Sequence, residues 1–199
     1  GNDLLKLAGI NPKQLHVIPN PLINEQFYSM SDEPVNHPWF KEKETPIILS
    51  AGPLEPRKDF ATLVRAFAKV RKKIQCRLVI LGEGKQRNKL LELAKELEVD
   101  KDVDLPGYDN NPYKYMKRAS IFVLSSRREG ASAVIIEALA CGTPVVSTDC
   151  PSGPAETLQN GRYGKLIPVG DPDLMSKAII DTLENPPNTN LLRDAVEKN

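Results

Sequence analysis

The stretch IFVLSSRREGASAVIIEALACGTPVVS, residues 121–147, decides how the rest of the chain is read. It opens on Ile121-Phe122-Val123-Leu124, an unbroken apolar run of strand length that suits burial on both faces of a sheet. A helix is expected from near Ala131, and Cys141-Gly142-Thr143-Pro144 stops it before a second strand at Val145-Val146-Ser147. Glu129 and Glu137 stand eight positions apart across that helix start. If both were helical they would lie roughly 12 Å apart along the axis, while the free amides of the first turn point at an anion. One carboxylate would then take hydroxyls near a phosphate and the other would take hydroxyls further away, a layout suited to a phosphorylated sugar nucleotide. Gly130 has no Cβ and lets the backbone approach such a ligand closely. Two glutamates on an amphipathic helix are also a common form of solvated surface charge, so spacing alone leaves both readings open. Position favours the first, because ligands of open parallel sheets bind beyond the carboxyl ends of the strands.

Outward from this unit, strand and helix alternate. Ile47 to Ala51 reads as a buried strand, and Phe60, Leu63, Val64, Phe67 and Val70 follow the helical period behind Asp59 as N-cap. Leu78 to Leu81 is the next strand, followed by a helix carrying Leu90, Leu91, Ala94 and Leu97. After Val103 to Leu105, a short helix runs from Asn111-Pro112 through Met116. A strand around Leu166-Ile167 and a helix with Leu174, Ala178, Ile179 and Leu183 complete the pattern before Asn185-Pro186-Pro187 ends regular structure. The expected fold class is α/β: a doubly wound, Rossmann-like parallel sheet of about six strands with helices on both faces.

The domain is expected over residues 46–184. Residues 1–45 read as an N-terminal extension and interdomain connection, with a short helix at Leu4 to Ala8, a brief strand at Leu15 to Ile18, and no regular element in 20–45. Residues 185–199 read as a truncated tail, and both ends are expected to be cuts within a longer protein.

Composition narrows the function. With 27 Lys plus Arg against 26 Asp plus Glu, the net charge of +1 gives no reason to expect nucleic acid as partner. Cys76, Cys141 and Cys150 are odd in number and have no C-x-x-C spacing, which predicts reduced thiols rather than disulfides or zinc. No apolar stretch approaches eighteen residues and no signal peptide is visible, so the cytoplasm is the expected location.

Taken together, Ile48 to Leu54 with Pro56-Arg57-Lys58-Asp59, Leu78 to Gly84, Leu105 to Tyr108, Phe122 to Gly130, Ile136 to Val146 and Asp149 to Glu156 resemble the donor-binding half of the group-1 retaining glycosyltransferases. These enzymes (glycosyltransferase family four) have two Rossmann-like domains, the GT-B fold. Asp149-Cys150-Pro151-Ser152-Gly153-Pro154 is similar to members that add hexoses or N-acetylhexosamines to glycolipids and cell-surface polysaccharides.

The resemblance implies that Glu129 contacts hydroxyls of the donor sugar and that Glu137 holds the ribose. It places backbone amides of Gly130, Ala131, Ser132, Ala133 and Val134 near the phosphates or sugar, and the Gly107-Tyr108-Asp109 loop at the edge of the base. Tyr108 has a rival role as a lid on the core. Gly52 opens the diphosphate word, in which Lys58 fills the lysine position, but Pro53 stands where the family has arginine. Lysine supplies a point charge where arginine grips bidentately, so Arg57, Arg127 or Arg128 would have to compensate.

The implied donor is a nucleotide diphosphate sugar, UDP-linked before other nucleotides, with no cofactor and no metal. The implied partners are an N-terminal acceptor-binding domain and a membrane-bound acceptor, which would bring the protein peripherally to the inner face of the membrane. Without that domain the chain is expected to transfer little sugar. Two alternatives stay open: a non-catalytic nucleotide-sugar-binding module, and a sugar-nucleotide epimerase of the same architecture.

Other signals fail. Gly82-Glu83-Gly84 lacks the third glycine of a dinucleotide fingerprint and follows the second strand rather than the first. His16 and His37 have no carboxylate or cysteine partner at a recognised spacing and are expected to be structural or surface residues. No nucleophile elbow or phosphate-cradling lysine loop occurs.

Overall fold

A computed structural model describes residues 23–42, 44–130, 132–151, 153–188, 191, 192, 195 and 196. Its centre is one sheet of six parallel strands: β1 (Ile47–Ala51), β2 (Arg77–Leu81), β3 (Val103–Gly107), β4 (Ile121–Leu124), β5 (Val145–Thr148) and β6 (Lys165–Ile167). The order is β3-β2-β1-β4-β5-β6, so the chain winds outward from β1 in one direction and then from β4 in the other. The crevice between β1 and β4 is therefore the topological switch point, where an open α/β sheet has room for a ligand.

Strand residues alternate between two cores. Ile48, Leu78, Ile80, Ile121 and Val123 face one layer, packed against Leu63 and Phe67 of α2 (Phe60–Arg71), Leu90 of α3 (Arg87–Glu96), and Met175 and Ile179 of α7 (Pro172–Glu184). Leu49, Val79, Phe122 and Leu124 face the other, against Tyr115 and Met116 of α4 (Tyr113–Met116), Ile135 and Leu139 of α5 (Ala133–Ala140), and Leu158 just past α6 (Pro154–Thr157). Burial on both faces is why these strands are continuous apolar runs rather than alternating ones.

The approach to the sheet is more regular than expected. Residues 20–45, read as a connection without regular elements, contain α1 (Glu25–Asp32) and a 3-10 turn at Pro38–Phe40. Asn24 caps α1 by accepting from the Phe27 amide at 2.9 Å. The helix buries only Phe27 and Ser31, so its sequence carries almost no apolar period. Asn111 fastens it to the domain by donating to the Met30 carbonyl at 2.8 Å and to Glu33 at 2.9 Å. His37, expected to lack a carboxylate partner, is buried with Nε2 2.8 Å from Asp104 and Nδ1 accepting from the Trp39 amide; its role is structural.

At the other end, α7 stops at Glu184 as the two prolines require, but residues 191, 192, 195 and 196 are helical again. Leu192 and Ala195 are buried in the second core. The expectation that regular structure ends at Asn185 is thus corrected. The helix and strand expected within residues 1–22 lie outside the described residues. The three cysteines are free, and burial pushes the Cys76 and Cys141 thiols up to about 12, which keeps them protonated.

Gly82 sets how closely β1 and β2 end. It has φ +141°, and a Cβ there would lie 2.0 Å from the Gly52 carbonyl oxygen. Gly82→Ala is therefore expected to destabilise the fold by about 2–4 kcal/mol, from backbone strain plus overlap. Urea denaturation with an unchanged m-value checks this; a loss below about 1 kcal/mol would refute the rigid fit.

Candidate active site

A cavity of about 410 Å³ opens at the carboxyl ends of the strands. Ala51, Gly52 and Pro53 line it at the end of β1, Leu81, Gly82 and Glu83 at the end of β2, Tyr108 and Asp109 after β3, and Val134 from α5. The volume lies in the range of small-molecule sites. Glu83 was not singled out from the sequence, although its place at the end of a strand is the signal that would have found it.

Lys58 also lines the cavity and is 7% exposed. It ends a 3-10 turn, Pro56–Lys58, that Pro56 starts with its fixed φ. The next residue, Asp59, is held at φ +47° and caps α2. Its carboxylate accepts from the Thr62 amide and hydroxyl, and Arg127 pairs with it at 2.9 Å. Gly52 gives the Lys58 side chain room, since a Cβ there would lie 3.0 Å from Cε.

Glu129 meets Lys58 at this point. Lys58 Nζ donates to Glu129 Oε1 at 2.7 Å, with the two side chains 9% and 8% exposed. The Ser126 hydroxyl donates to the same oxygen. The surface-charge reading of Glu129 is thereby excluded. It is not helical, however: α5 begins at Ala133 rather than near Ala131, so the separation expected for two helical glutamates does not apply. Ala131 lies outside the described residues.

The entry to α5 is a tight one. Ser132 is its N-cap at φ +46°, a costly conformation for a residue with a Cβ, and its hydroxyl is buried without a hydrogen-bond partner. Gly130 is exposed, and nothing lies within 4 Å of where its Cβ would be. At the far end Gly142 takes φ +76°, and the Thr143 and Gly142 amides close onto the Ala138 and Leu139 carbonyls, the expected glycine stop.

Glu137 projects from α5 beside the cavity rather than among its lining residues. The Tyr113 hydroxyl donates to it at 3.4 Å. Burial raises its carboxyl above the ordinary range, and the Tyr113 bond only partly offsets this. Tyr108 is 76% exposed, which rules out a lid on the core. Asp109 pairs with Lys114 at 3.0 Å and accepts from the Asn111 amide; these contacts outweigh its burial and lower its carboxyl. Arg57 is exposed and paired with Glu55 at 3.0 Å, and neither it nor Arg127 lines the cavity.

A doubly wound parallel sheet with a cation-bearing cavity at its switch point defines the Rossmann-like class of domain, which binds ligands beyond the carboxyl ends of its strands. More particularly, the chain belongs to the family described as glycosyl transferases group 1, whose model matches residues 33–199.

It is 38% identical over 183 residues to the N-acetylgalactosamine-N,N'-diacetylbacillosaminyl-diphospho-undecaprenol 4-alpha-N-acetylgalactosaminyltransferase of Campylobacter jejuni, covering 92% of this chain and 48% of that protein. The solved structure of a point mutant of S. aureus TarM, in complex with Fondaparinux, alpha-GlcNAc-glycerol and UDP, is 25% identical with a TM-score of 0.68, over 79% of this chain and 32% of TarM. WaaG, a glycosyltransferase involved in lipopolysaccharide biosynthesis, superposes with a TM-score of 0.79 at 20% identity, over 98% of this chain and 55% of WaaG, a likeness of fold. The chain thus spans less than half the length of its Campylobacter relative.

Two outcomes follow from the buried charges. Lys58→Met or Glu129→Leu alone strands its partner and is expected to cost about 3–5 kcal/mol of stability, while Lys58→Met combined with Glu129→Leu costs less than the sum. A double-mutant cycle by chemical denaturation would show a coupling near zero if the pair were solvent-screened. For Glu137, a raised carboxyl in the folded state means stability that is present below the ordinary carboxylate range and lost as pH rises through the raised value. Glu137→Gln should therefore melt higher than wild type at pH 7 and lose this decline; equal melting temperatures between about pH 4 and pH 7 would contradict the shift.

Proposed function

We propose that this chain is the donor-binding half of a retaining glycosyltransferase that moves a hexose or N-acetylhexosamine from a UDP-linked donor to a glycolipid or polysaccharide acceptor. The observation that carries the reading is the cavity at the switch point with a buried lysine on its wall and a buried carboxylate bonded to it. The UDP named in the TarM structure and the diphospho-undecaprenol glycolipid in the Campylobacter relative's name support the donor and acceptor classes.

In this reading the loop Gly107-Tyr108-Asp109 meets the base edge and Glu137 accepts ribose hydroxyls. Lys58, with two N–H groups beyond the one given to Glu129, and the amides around Ser132, Ala133 and Val134 hold the diphosphate. Departure of the nucleotide leaves negative charge on the leaving oxygen, and a fixed ammonium with helix-start amides stabilises it in a site shielded from water, without metal or other cofactor. Glu129 takes hydroxyls of the donor sugar. The acceptor binds the remaining half of the protein, so this chain alone transfers little sugar. No helix among the described residues is long and apolar enough to cross a membrane; a lipid-borne acceptor is reached from the cytoplasmic face by peripheral association.

A second reading, a binding module without turnover, is favoured by one observation. Pro53 stands on the cavity wall, and the nearby Arg57 and Arg127 are occupied by Glu55 and Asp59. Tight donor binding without transfer by the complete protein would select it.

Calorimetry with UDP and with UDP-hexoses and UDP-N-acetylhexosamines tests the main reading. Glu137→Ala should weaken UDP binding by about 1–3 kcal/mol. Glu129→Gln should leave UDP affinity within about twofold while lowering turnover by the complete protein, because its contacts are on the sugar. Absence of UDP binding to the wild type, or identical behaviour of the two variants, would overturn the assignment.

A further inference from the structure

Glu129 Oε1 already has two donors, Lys58 Nζ at 2.7 Å and the Ser126 hydroxyl. A carboxylate oxygen offers two lone-pair sites, so Oε1 is full. If Glu129 takes sugar hydroxyls, as the proposed function holds, it does so with Oε2, and the direction of Oε2 is fixed by whatever fixes Oε1.

Two neighbouring serines at the end of β4 divide that task. Ser126 is fully buried and bonds the carboxylate, and its own backbone is held by the Thr148 hydroxyl, which donates to the Ser126 carbonyl at 2.6 Å. Ser125 points to the other member of the pair, its hydroxyl donating to the Lys58 carbonyl at 2.7 Å. Successive residues of an extended chain point to opposite sides. Consecutive hydroxyls therefore hold the lysine turn and the glutamate separately.

We propose that Ser126 is a positioning residue for donor-sugar recognition: it shares Glu129 Oε1 with Lys58 and so turns Oε2 toward the sugar hydroxyls, while Ser125 sets the lysine for the diphosphate. The two serines then have different binding signatures. Ser126→Ala should leave UDP affinity within about twofold but remove about three- to tenfold of the extra affinity of a UDP-sugar over UDP, the worth of one hydrogen bond. Ser125→Ala should weaken UDP and UDP-sugar alike.

The probes are UDP and the tightest-binding member of a panel of UDP-hexoses and UDP-N-acetylhexosamines, titrated calorimetrically against the protein. Ser126→Cys, close in size and a poor donor, serves as the second variant and should follow Ser126→Ala. The inference is overturned if Ser126→Ala keeps the full sugar-dependent gain, if both serine variants lose UDP and UDP-sugar equally, or if the wild type binds no UDP-sugar better than UDP. Failure of the wild type to bind UDP at all is a different result, and it removes the proposed function itself.

Discussion

An ammonium and a carboxylate, each more than nine-tenths withdrawn from water, meet at the mouth of the sheet, and much of the local structure exists to make that meeting tolerable. Desolvating either ion alone costs several kcal/mol, and their attraction repays this only if the geometry is held. Lys58 and Glu129 are 71 residues apart in the chain, so the geometry has to be built by tertiary structure. Pro56 and the strained, multiply bonded Asp59 fix the lysine turn from one side, and the Ser125 hydroxyl fixes it from the other. The turn after β4 is fixed in the same way, with the Arg127 amide donating to the Arg57 carbonyl at 2.8 Å and joining the two turns directly.

That arrangement depends on where the sheet reverses. Because β1 and β4 are neighbours and run parallel, the segments that leave their carboxyl ends emerge side by side, and the first carries Lys58 while the second carries Glu129. Hydroxyls reinforce the junction inside the sheet, where Ser50 at the end of β1 donates to the Val123 carbonyl at 2.6 Å. Positive-φ residues gather here too: Gly52, Asp59, Gly82 and Ser132 all flank the cavity or its helix. Backbone strain at Asp59 and Ser132, held in place by surrounding packing, is a usual mark of a functional site, whereas the two glycines reach positive φ without it.

Much of this was legible in the sequence because its signals are local. Apolar runs define β1, β2 and β4, shorter apolar signals at Val103 with Leu105, Val145-Val146 and Leu166-Ile167 mark the other three strands, Asp59 announces α2, and Gly142 marks the end of α5. What escaped reading has a non-local cause in each case. The α1 helix has two buried residues and owes its place to Asn111, 78 residues or more away. The helical residues 191, 192, 195 and 196 follow two prolines, and their burial comes from the second core. His37 lacks a sequence-near partner because its carboxylate, Asp104, belongs to β3. The resemblance to a family located Lys58 and Glu129, but only the fold shows that they bond each other and that a serine shares the bond.

The absent arginine is best understood through the same pair. At position 53 a proline forms part of the cavity wall, while Arg57 is paired with the exposed Glu55 and Arg127 with Asp59, whose carboxylate is buried. The exposed pair of Arg57 and Glu55 is weak, so an anion at the cavity mouth would compete for that guanidinium at little cost, whereas drawing Arg127 away would leave the buried Asp59 carboxylate without its cation. Lys58 differs from Arg57, because it and its partner are both buried and neither can be released to water. A diphosphate that engages Lys58 must therefore bind to the pair as a unit, with Glu129 still attached. The negative charge of that carboxylate works against a bound anion at the same lysine and favours neutral groups with hydroxyl donors beside it. Phosphate on the amide and ammonium side and sugar on the carboxylate side is the arrangement in which both ions keep a favourable partner. Under the proposed function, a site built on this pair gives the diphosphate and the sugar opposite sides whether or not an arginine is present.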